Sequence, residues 1–327
     1  MATGRGYETP GGGGLTRGKT AVGGKYVYVV SSTERDYFAE LAAVSMASLR
    51  LASTTVQIVV FTDRQTSTVN SPGVAAIRDA SDDFIVVDCP GITPLHRSRF
   101  LKTSIRSLTS GRFVYLDSDT IILKSPDTIW AIDCDVAASL DVAPNGESHS
   151  SLRALPLTNA THETTRSLRY LNAGVMYFAD SSAAHAVGEQ YRSDWSQSLQ
   201  TTGRPNDQPS FNRAAHIAGA RLHVLPASYN AQISMNPLLL RGAKILHFFT
   251  KDLESRDDTI AHIAARRLKS EGILDKSGLQ RAIASGNPWT RIDSYRKAVA
   301  ARHYSAIGTI AFNRLREKVR QKLPTAK

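Results

Sequence analysis

Residues 113–126 read FVYLDSDTIILKSP. An apolar run enters and Asp117 and Asp119 follow one residue apart. After Thr120 a second apolar run, Ile121, Ile122 and Leu123, leaves. Neighbouring carboxylates resist simultaneous ionisation unless positive charge lies between them. An isolated Asp-x-Asp usually does no more than end a strand in a turn. Solvated turns are rarely embedded so closely between apolar runs, so this pair asks for a cation, a shared proton or a catalytic role.

Upstream, 25–32 (KYVYVVSS) reads as a fully buried strand, and 34–53 places Phe38, Leu41, Ala42, Ser45, Leu49 and Ala52 at helical spacing. Residues 56–63 and 83–88 are two more strands, and 95–111 is a helix ended at Gly111. Downstream, 135–141, 171–178 and 244–249 read as strands and 181–199 as a helix. Residues 143–169 are polar and irregular, long enough for a substrate loop or lid. Strands alternating with helices predict a parallel sheet, with ligands at the strand C-terminal ends. Asp117 and Asp119 fall at such an end.

The chain has 327 residues, enough for one large α/β unit with additions. Hydrophobic residues at 42% and charged residues at 21% place it among soluble globular proteins. A net charge of +11 points to an anionic partner. Cys89 and Cys134 form no Cys-x-x-Cys pair and no disulfide framework, which suits a reducing cytoplasm. No apolar run approaches the length of a membrane span. Residues 1–24 read as a flexible leader without the apolar core of a signal peptide. Within it, 13–20 (GGLTRGKT) spell a P-loop, but no strand precedes them and a strand rather than a helix follows, so the match is one of letters.

Three chemistries suit the carboxylate pair. A divalent cation can bridge it to a diphosphate, since Mn²⁺ and Mg²⁺ prefer oxygen ligands. Phosphoaspartyl chemistry wants Thr or Val two residues after the second Asp, and the chain's first strand; here Ile121 follows and the strand comes late. A two-metal hydrolase would need a His/Asp-rich companion motif that the sequence lacks.

Four motifs in order, FVYLDSDTIIL, LNAGVMYF, NDQPSFN and ILHFF, resemble those of the retaining glycosyltransferases of family 8 and their GT-A-fold relatives, a group that includes glycogenin and bacterial lipooligosaccharide galactosyltransferases. The resemblance spans about 25–251. It implies a GT-A-like, Rossmann-type mixed α/β sheet flanked by helices, with a basic helical C-terminal tail. The implied division is a leader at 1–24, a catalytic domain at 25–258 and a helical basic region at 259–327. It implies sugar transfer from a nucleotide-diphosphate sugar to a glycan or glycolipid hydroxyl, dependent on Mn²⁺ (or Mg²⁺), with retention.

By the same resemblance Asp117, Asp119 and His247 hold the metal. Alone, His247 would read as a hydrogen-bonded core histidine, but a neutral imidazole is a natural third ligand. Lys102 matches a basic residue that reaches the donor, against the plain alternative of a solvated helix lysine. Asn172 matches a sugar-contacting asparagine, and Gly174 allows close approach of a ligand. Asp207 and Gln208 match the Asp-Gln pair beside the transferred sugar, and Asp141 a sugar-pocket aspartate. Ser31 and Ser32 end the first strand where the nucleotide sits. Asp63 either joins them or caps a turn. After His247 the family carries Gly and then Lys-Pro-Trp, whereas this chain reads HFFTKDLES, so Lys251 takes the diphosphate contact only by analogy.

Residues 291–327 carry ten Lys or Arg against two acids, or +8 of the total. Ile307, Ile310, Ala311, Leu315 and Val319 recur near helical spacing with the basic residues opposite. That pattern fits a terminal helix packed on the body, or attachment to an anionic membrane at its cytoplasmic face. Nucleic acid is not expected, because aromatics are sparse there and no recognition motif appears. The competing readings of the whole are a phosphohydrolase using the Asp pair and an inactive nucleotide-binding or membrane-bound scaffold.

Overall fold

The structure, a computed structural model, describes residues 24–90, 93–142, 169–249 and 259–288, with individual helical positions between 299 and 316. The P-loop letters, residues 143–168, Lys251 and most of the basic tail lie outside the described residues.

Strand β1 (Lys25–Val30) is buried along nearly its whole length. Its side chains alternate between two cores: Tyr26, Tyr28 and Val30 enter one, Val27 and Val29 the other. A strand covered on both faces must be apolar on both, which is why it reads as an unbroken run. Helix α1 (Phe38–Ala52) leads into β2 (Gln57–Asp63), short α2 (Arg64–Ser67), α3 (Pro72–Ala80) and β3 (Asp83–Val87). Helix α3 begins where Ser71 accepts from the Val74 N–H and Pro72 occupies the first turn, whose amide needs no partner. Then come α4 (Pro94–Thr103), α5 (Ile105–Leu108), β4 (Phe113–Leu116), β5 (Thr120–Ile122) and β6 (Val136–Leu140). The helix expected over 95–111 is broken at Ser104, whose hydroxyl bonds back to the Phe100 carbonyl at 2.7 Å.

The described chain continues with β7 (Leu171–Phe178), α6 (Ser182–Thr202), α7 (Gln208–Ile217), β8 (Leu222–Leu225), β9 (Ile245–His247), α8 (Ile260–Glu271) and α9 (Lys276–Ser285). Seven strands form one sheet in the order β3-β2-β1-β4-β7-β6-β8. Strands β3, β2, β1 and β4 are mutually parallel. Strand β7 runs antiparallel to both β4 and β6, and β6 is parallel to β8. The all-parallel sheet predicted from alternation thus holds on one half and gives way at β7 to the mixed sheet that the resemblance implied. A doubly buried strand has the same side-chain pattern in either direction, so periodicity carries no sign for β7.

Helices α1, α3 and α8 cover one face, and α4 to α7 the other. A third, smaller core joins Ile121, Leu246, Leu41, Val44, Ile260 and Ala265. It sits beneath a separate two-stranded sheet, β5 paired antiparallel with β9. The apolar run 121–123 leaves the carboxylate pair to enter this sheet. No described helix is long and apolar enough to cross a membrane.

Candidate active site

The loop Asp117-Ser118-Asp119 joins the last residue of β4 in the large sheet to the first of β5 in the small one. Its ends are pinned by backbone. The Asp117 N–H donates to the Gly174 carbonyl of β7 at 2.8 Å, and the Asp119 carbonyl accepts from the Phe248 N–H at 3.1 Å. Register across the small sheet sets Thr120 opposite His247. The His247 N–H also donates to the Ala231 carbonyl at 3.0 Å. The histidine therefore arrives beside the carboxylates by strand pairing, although 128 positions separate it from Asp119 in the chain.

His247 Nε2 lies 3.3 Å from Asp119 Oδ1 and 3.8 Å from Asp117 Oδ2. One ligand atom from each of the three residues falls within 4.8 Å of the others. Two carboxylate oxygens and one imidazole nitrogen suit Mn²⁺ or Mg²⁺, so the donor set fits the cation expected from the sequence. Burial opposes a charge on His247, but Asp119 and Asp117 outweigh it and raise its pKa. Gly174 makes this packing feasible. A Cβ there would stand 2.2 Å from His247 Cε1 and 2.6 Å from Nδ1, so the close approach it permits is that of the imidazole. Phe249 stacks on the His247 ring with centroids 4.2 Å apart and takes φ of 52°, a conformation a bulky side chain rarely adopts.

Behind the carboxylates lies a buried charge cluster. Lys102 on α4, 3% exposed at its side chain, reaches Asp117 Oδ1 at 3.0 Å and Asp207 Oδ2 at 3.4 Å. It is a buried ion-pair member rather than a solvated helix lysine. Arg99, one turn earlier, meets Asp207 Oδ1 at 3.1 Å, and the Tyr191 hydroxyl donates to Asp207 Oδ2 at 2.7 Å. Burial alone would push the Asp207 carboxyl up, but Arg99, Lys102 and Tyr191 hold it well below the usual range. The Tyr115 hydroxyl donates to Asp117 Oδ1, and burial, reinforced by that carboxylate, raises the phenol far above its ordinary pKa. Tyr115 therefore stays a proton donor in this bond.

A polar chain leads away from His247. Its Nδ1 is 3.0 Å from Asn230 Oδ1, and Asn230 Nδ2 donates to Asn172 Oδ1 at 2.8 Å. Asn172 Nδ2 donates to Asp141 Oδ1 at 2.8 Å and to Gln208 Oε1 at 3.2 Å. Gln208 Oε1 also accepts from the Ala173 N–H at 3.1 Å. Asp141, Asn172, Asp207 and Gln208 thus converge beside the carboxylate–histidine group.

In front, an open cleft is lined by Val29, Ser31, Phe38, Pro94, Leu95, Ser98, Arg99, Tyr115 and the Asp117–Asp119 loop. Ser31 faces it. Ser32 is 2% exposed, and its hydroxyl donates to Asp36. Asp63 is 1% exposed, caps α2 through the Thr66 N–H at 2.9 Å, and pairs with Arg97 at 3.0 Å. The structure thus brings Ser31, Lys102, Asp141, Asn172, Gly174, Asp207 and Gln208 around the metal-type group, and sets Ser32 and Asp63 behind the cleft wall. Sequence reasoning missed Arg99, Tyr115, Tyr191 and Asn230. Arg99 had a signal, since Arg-x-x-Lys puts two cations on one helical face.

The chain superposes on the galactosyltransferase LgtC, solved with donor and acceptor sugar analogues, with a TM-score of 0.51. Identity is 14%, over 79% of this chain and 95% of that one. The fold is GT-A. The bifunctional glycosyltransferase WbbM also matches, with a TM-score of 0.51 at 14% identity, over 86% of this chain and 52% of that one. No protein-family model matches the chain, and no curated protein matches it in sequence. On the GT-A frame, the loop between the large and small sheets is where the carboxylate pair and the late histidine meet.

Proposed function

We propose that the chain is a family 8-like glycosyltransferase, moving a sugar from a nucleotide-diphosphate sugar to a glycan or glycolipid hydroxyl with retention of configuration. The observation that carries this reading is the convergence of Asp117, Asp119 and His247 at the mouth of a cleft in a GT-A fold, with Asn172, Asp141 and Gln208 alongside. Catalysis is assigned to 25–258, with α8 and α9 packed against α1.

The cleft beside Ser31 and Phe38 takes the nucleotide, its apolar walls facing the base. Asp117, Asp119 and His247 hold Mn²⁺ or Mg²⁺. When bound, the cation supplies Lewis-acid stabilisation of the diphosphate charge. Lys102 and Arg99 add positive potential on the same side and keep Asp207 ionised and fixed. Lys251 is assigned to the diphosphate by analogy alone. Asp141, Asn172 and Gln208 form a rigid polar wall for sugar hydroxyls, because each is already locked to its neighbour. The acceptor hydroxyl attacks the face that the diphosphate leaves, and a departing phosphate oxygen takes its proton.

The direct test is a panel of nucleotide sugars with purified full-length chain. Mn²⁺-dependent hydrolysis of at least one donor, absent with EDTA, is expected. Phosphate release from a simple phosphate ester, with every nucleotide sugar untouched, would instead identify a phosphohydrolase. Binding without turnover of any donor would leave the scaffold reading.

The reading also includes peripheral attachment to the cytoplasmic face of an anionic membrane. Ile307 packs against the third core, whereas Tyr304, Phe312 and Leu315 are 77%, 65% and 62% exposed. Spacings of eight and three residues put those three on one helical stripe. They lie within the +8 segment, and each basic residue near anionic lipid contributes about 1 kcal/mol. Truncation before Tyr304 is expected to abolish co-sedimentation with phosphatidylserine vesicles and to spare hydrolysis of soluble donor. A full chain that ignores such vesicles at low salt, or a truncated one that unfolds, makes the tail structural.

A further inference from the structure

We propose that Asn230 is a positioning residue. It fixes which imidazole nitrogen of His247 faces the carboxylates, and it ties that ring to the sugar side of the site through Asn172. The inference rests on the reading of Asp117, Asp119 and His247 as a metal centre.

The argument is one of hydrogen-bond polarity. An ionised carboxylate only accepts and a backbone N–H only donates. Asn172 touches one of each: Asp141 Oδ1 at 2.8 Å and the Gly174 N–H at 2.9 Å. Its amide nitrogen must face Asp141 and its oxygen must face Gly174. That same Asn172 oxygen lies 2.8 Å from Asn230, so the Asn230 group facing it is the amide nitrogen. Asn230 Oδ1 is then turned to His247 Nδ1 at 3.0 Å, and an oxygen acceptor there requires Nδ1 to carry the proton. With a cation in place of the proton that Asp119 and Asp117 otherwise draw to it, Nε2, the nitrogen 3.3 Å from Asp119 and 3.8 Å from Asp117, is the one left to offer its lone pair. Each orientation forces the next, starting from Asp141 and the Gly174 amide.

Burial makes the chain rigid. Asn230 is 0% exposed, Asn172 2% and His247 3%, so no described group in this relay can trade its partner for bulk water cheaply. Asn230 is held from behind, its N–H donating to the Ala227 carbonyl at 3.1 Å. It follows Tyr229 and precedes Ala231, whose backbone bridges to β9 beside His247. The residue therefore sits on the same backbone that fixes the histidine strand. Partners of this kind behind a metal-binding histidine orient the ring, and their loss weakens metal binding.

Two substitutions separate the two halves of the role. Asn230→Ala removes both contacts. Asn230→Asp keeps an acceptor for Nδ1–H but sets an oxygen against the Asn172 oxygen, so it preserves the ring and breaks the link to the sugar wall. Mn²⁺ titration of the sugar-free protein by calorimetry is expected to show affinity down about 10–100-fold in Asn230→Ala and near wild type in Asn230→Asp. Donor hydrolysis at saturating Mn²⁺ is expected to drop in both. A third measurement needs no variant. In ¹⁵N-histidine-labelled wild-type protein saturated with Mg²⁺, His247 is expected to carry its proton on Nδ1 and none on Nε2.

Wild-type Mn²⁺ affinity in folded Asn230→Ala, an Nε2–H tautomer, or a wild-type protein that binds no Mn²⁺ would each overturn the inference. Should Asn230→Ala fail to fold, Asn230→Asp and the tautomer decide. If the wild type binds Mn²⁺ as described and hydrolyses no nucleotide sugar, the glycosyltransferase reading fails and the positioning role stands.

Discussion

Asp119→Ala is expected to lower Mn²⁺-dependent donor hydrolysis by roughly 10³-fold or more while leaving the protein folded, the loss corresponding to the several kcal/mol a bound cation contributes to charge stabilisation. The two effects separate because of where Asp119 stands. Its backbone closes the small sheet through the Phe248 N–H, and alanine keeps that bond. Its carboxylate lies at the cleft mouth, 14% exposed, beside a second carboxylate two residues away. Removing one member of a self-repelling pair relieves as much as it costs, and His247 keeps Asp117 at 3.8 Å and Asn230 at 3.0 Å. Thermal unfolding without metal is expected within a few degrees of wild type. Mn²⁺ is expected to stabilise the wild type and not the variant. Full hydrolysis at saturating Mn²⁺ would remove Asp119 from the ligand set.

Half of this site was legible in the sequence. The first strands and α1 were readable because strand and helix space their large apolar residues at different periods, even though α1 is buried all round from Ala39 to Leu49. Asp117 and Asp119 stood out because charge between apolar runs is costly without a partner. The small sheet was not readable. Three residues, Thr120–Ile122 or Ile245–His247, are too few for a period, and their pairing spans more than a hundred positions. His247 was therefore placed by resemblance, and only the structure supplies the strand register that delivers it. Gly174 was read as room for a ligand, and the room is occupied by the His247 ring. Asn230 left no trace, since one asparagine in a loop after Pro226 looks like turn chemistry. Arg99 and Lys102 were separable only by what they face. A helical Arg-x-x-Lys is solvated on most proteins, and here both cations point at Asp207.

Asp207→Ala is expected to cost about 3–5 kcal/mol of stability, the range seen when one partner of a buried ion pair is removed. For a protein of this size that is a fall in melting temperature on the order of 10 °C. The Asp207 side chain is 7% exposed and that of Lys102 3%, so the positive charge left behind cannot recover its hydration. Lys102 would keep Asp117, but Arg99 would lose its carboxylate partner at 3.1 Å and Tyr191 its acceptor at 2.7 Å. Asp207→Asn keeps an acceptor for Tyr191 without the charge, so the expected order is wild type, then Asn, then Ala. The pH dependence follows from the same contacts. The Asp207 carboxyl is held well below its ordinary value by Arg99, Lys102 and Tyr191 against the opposing effect of burial. Its stabilisation is complete above the unfolded-state value near ~4 and is lost as pH falls toward the depressed folded value. Wild-type stability should therefore decline on acidification below about pH 4, and Asp207→Asn should decline less. If Asp207→Ala proved as stable as wild type at neutral pH, the cluster would not hold the fold, and Asp207 would act through the substrate alone. The expected instability places it earlier in the chain of cause. Asp207 first holds buried Lys102 and half-buried Arg99 in place, and only a helix anchored that way can hold Gln208, the next residue, against Asn172 and the Ala173 N–H.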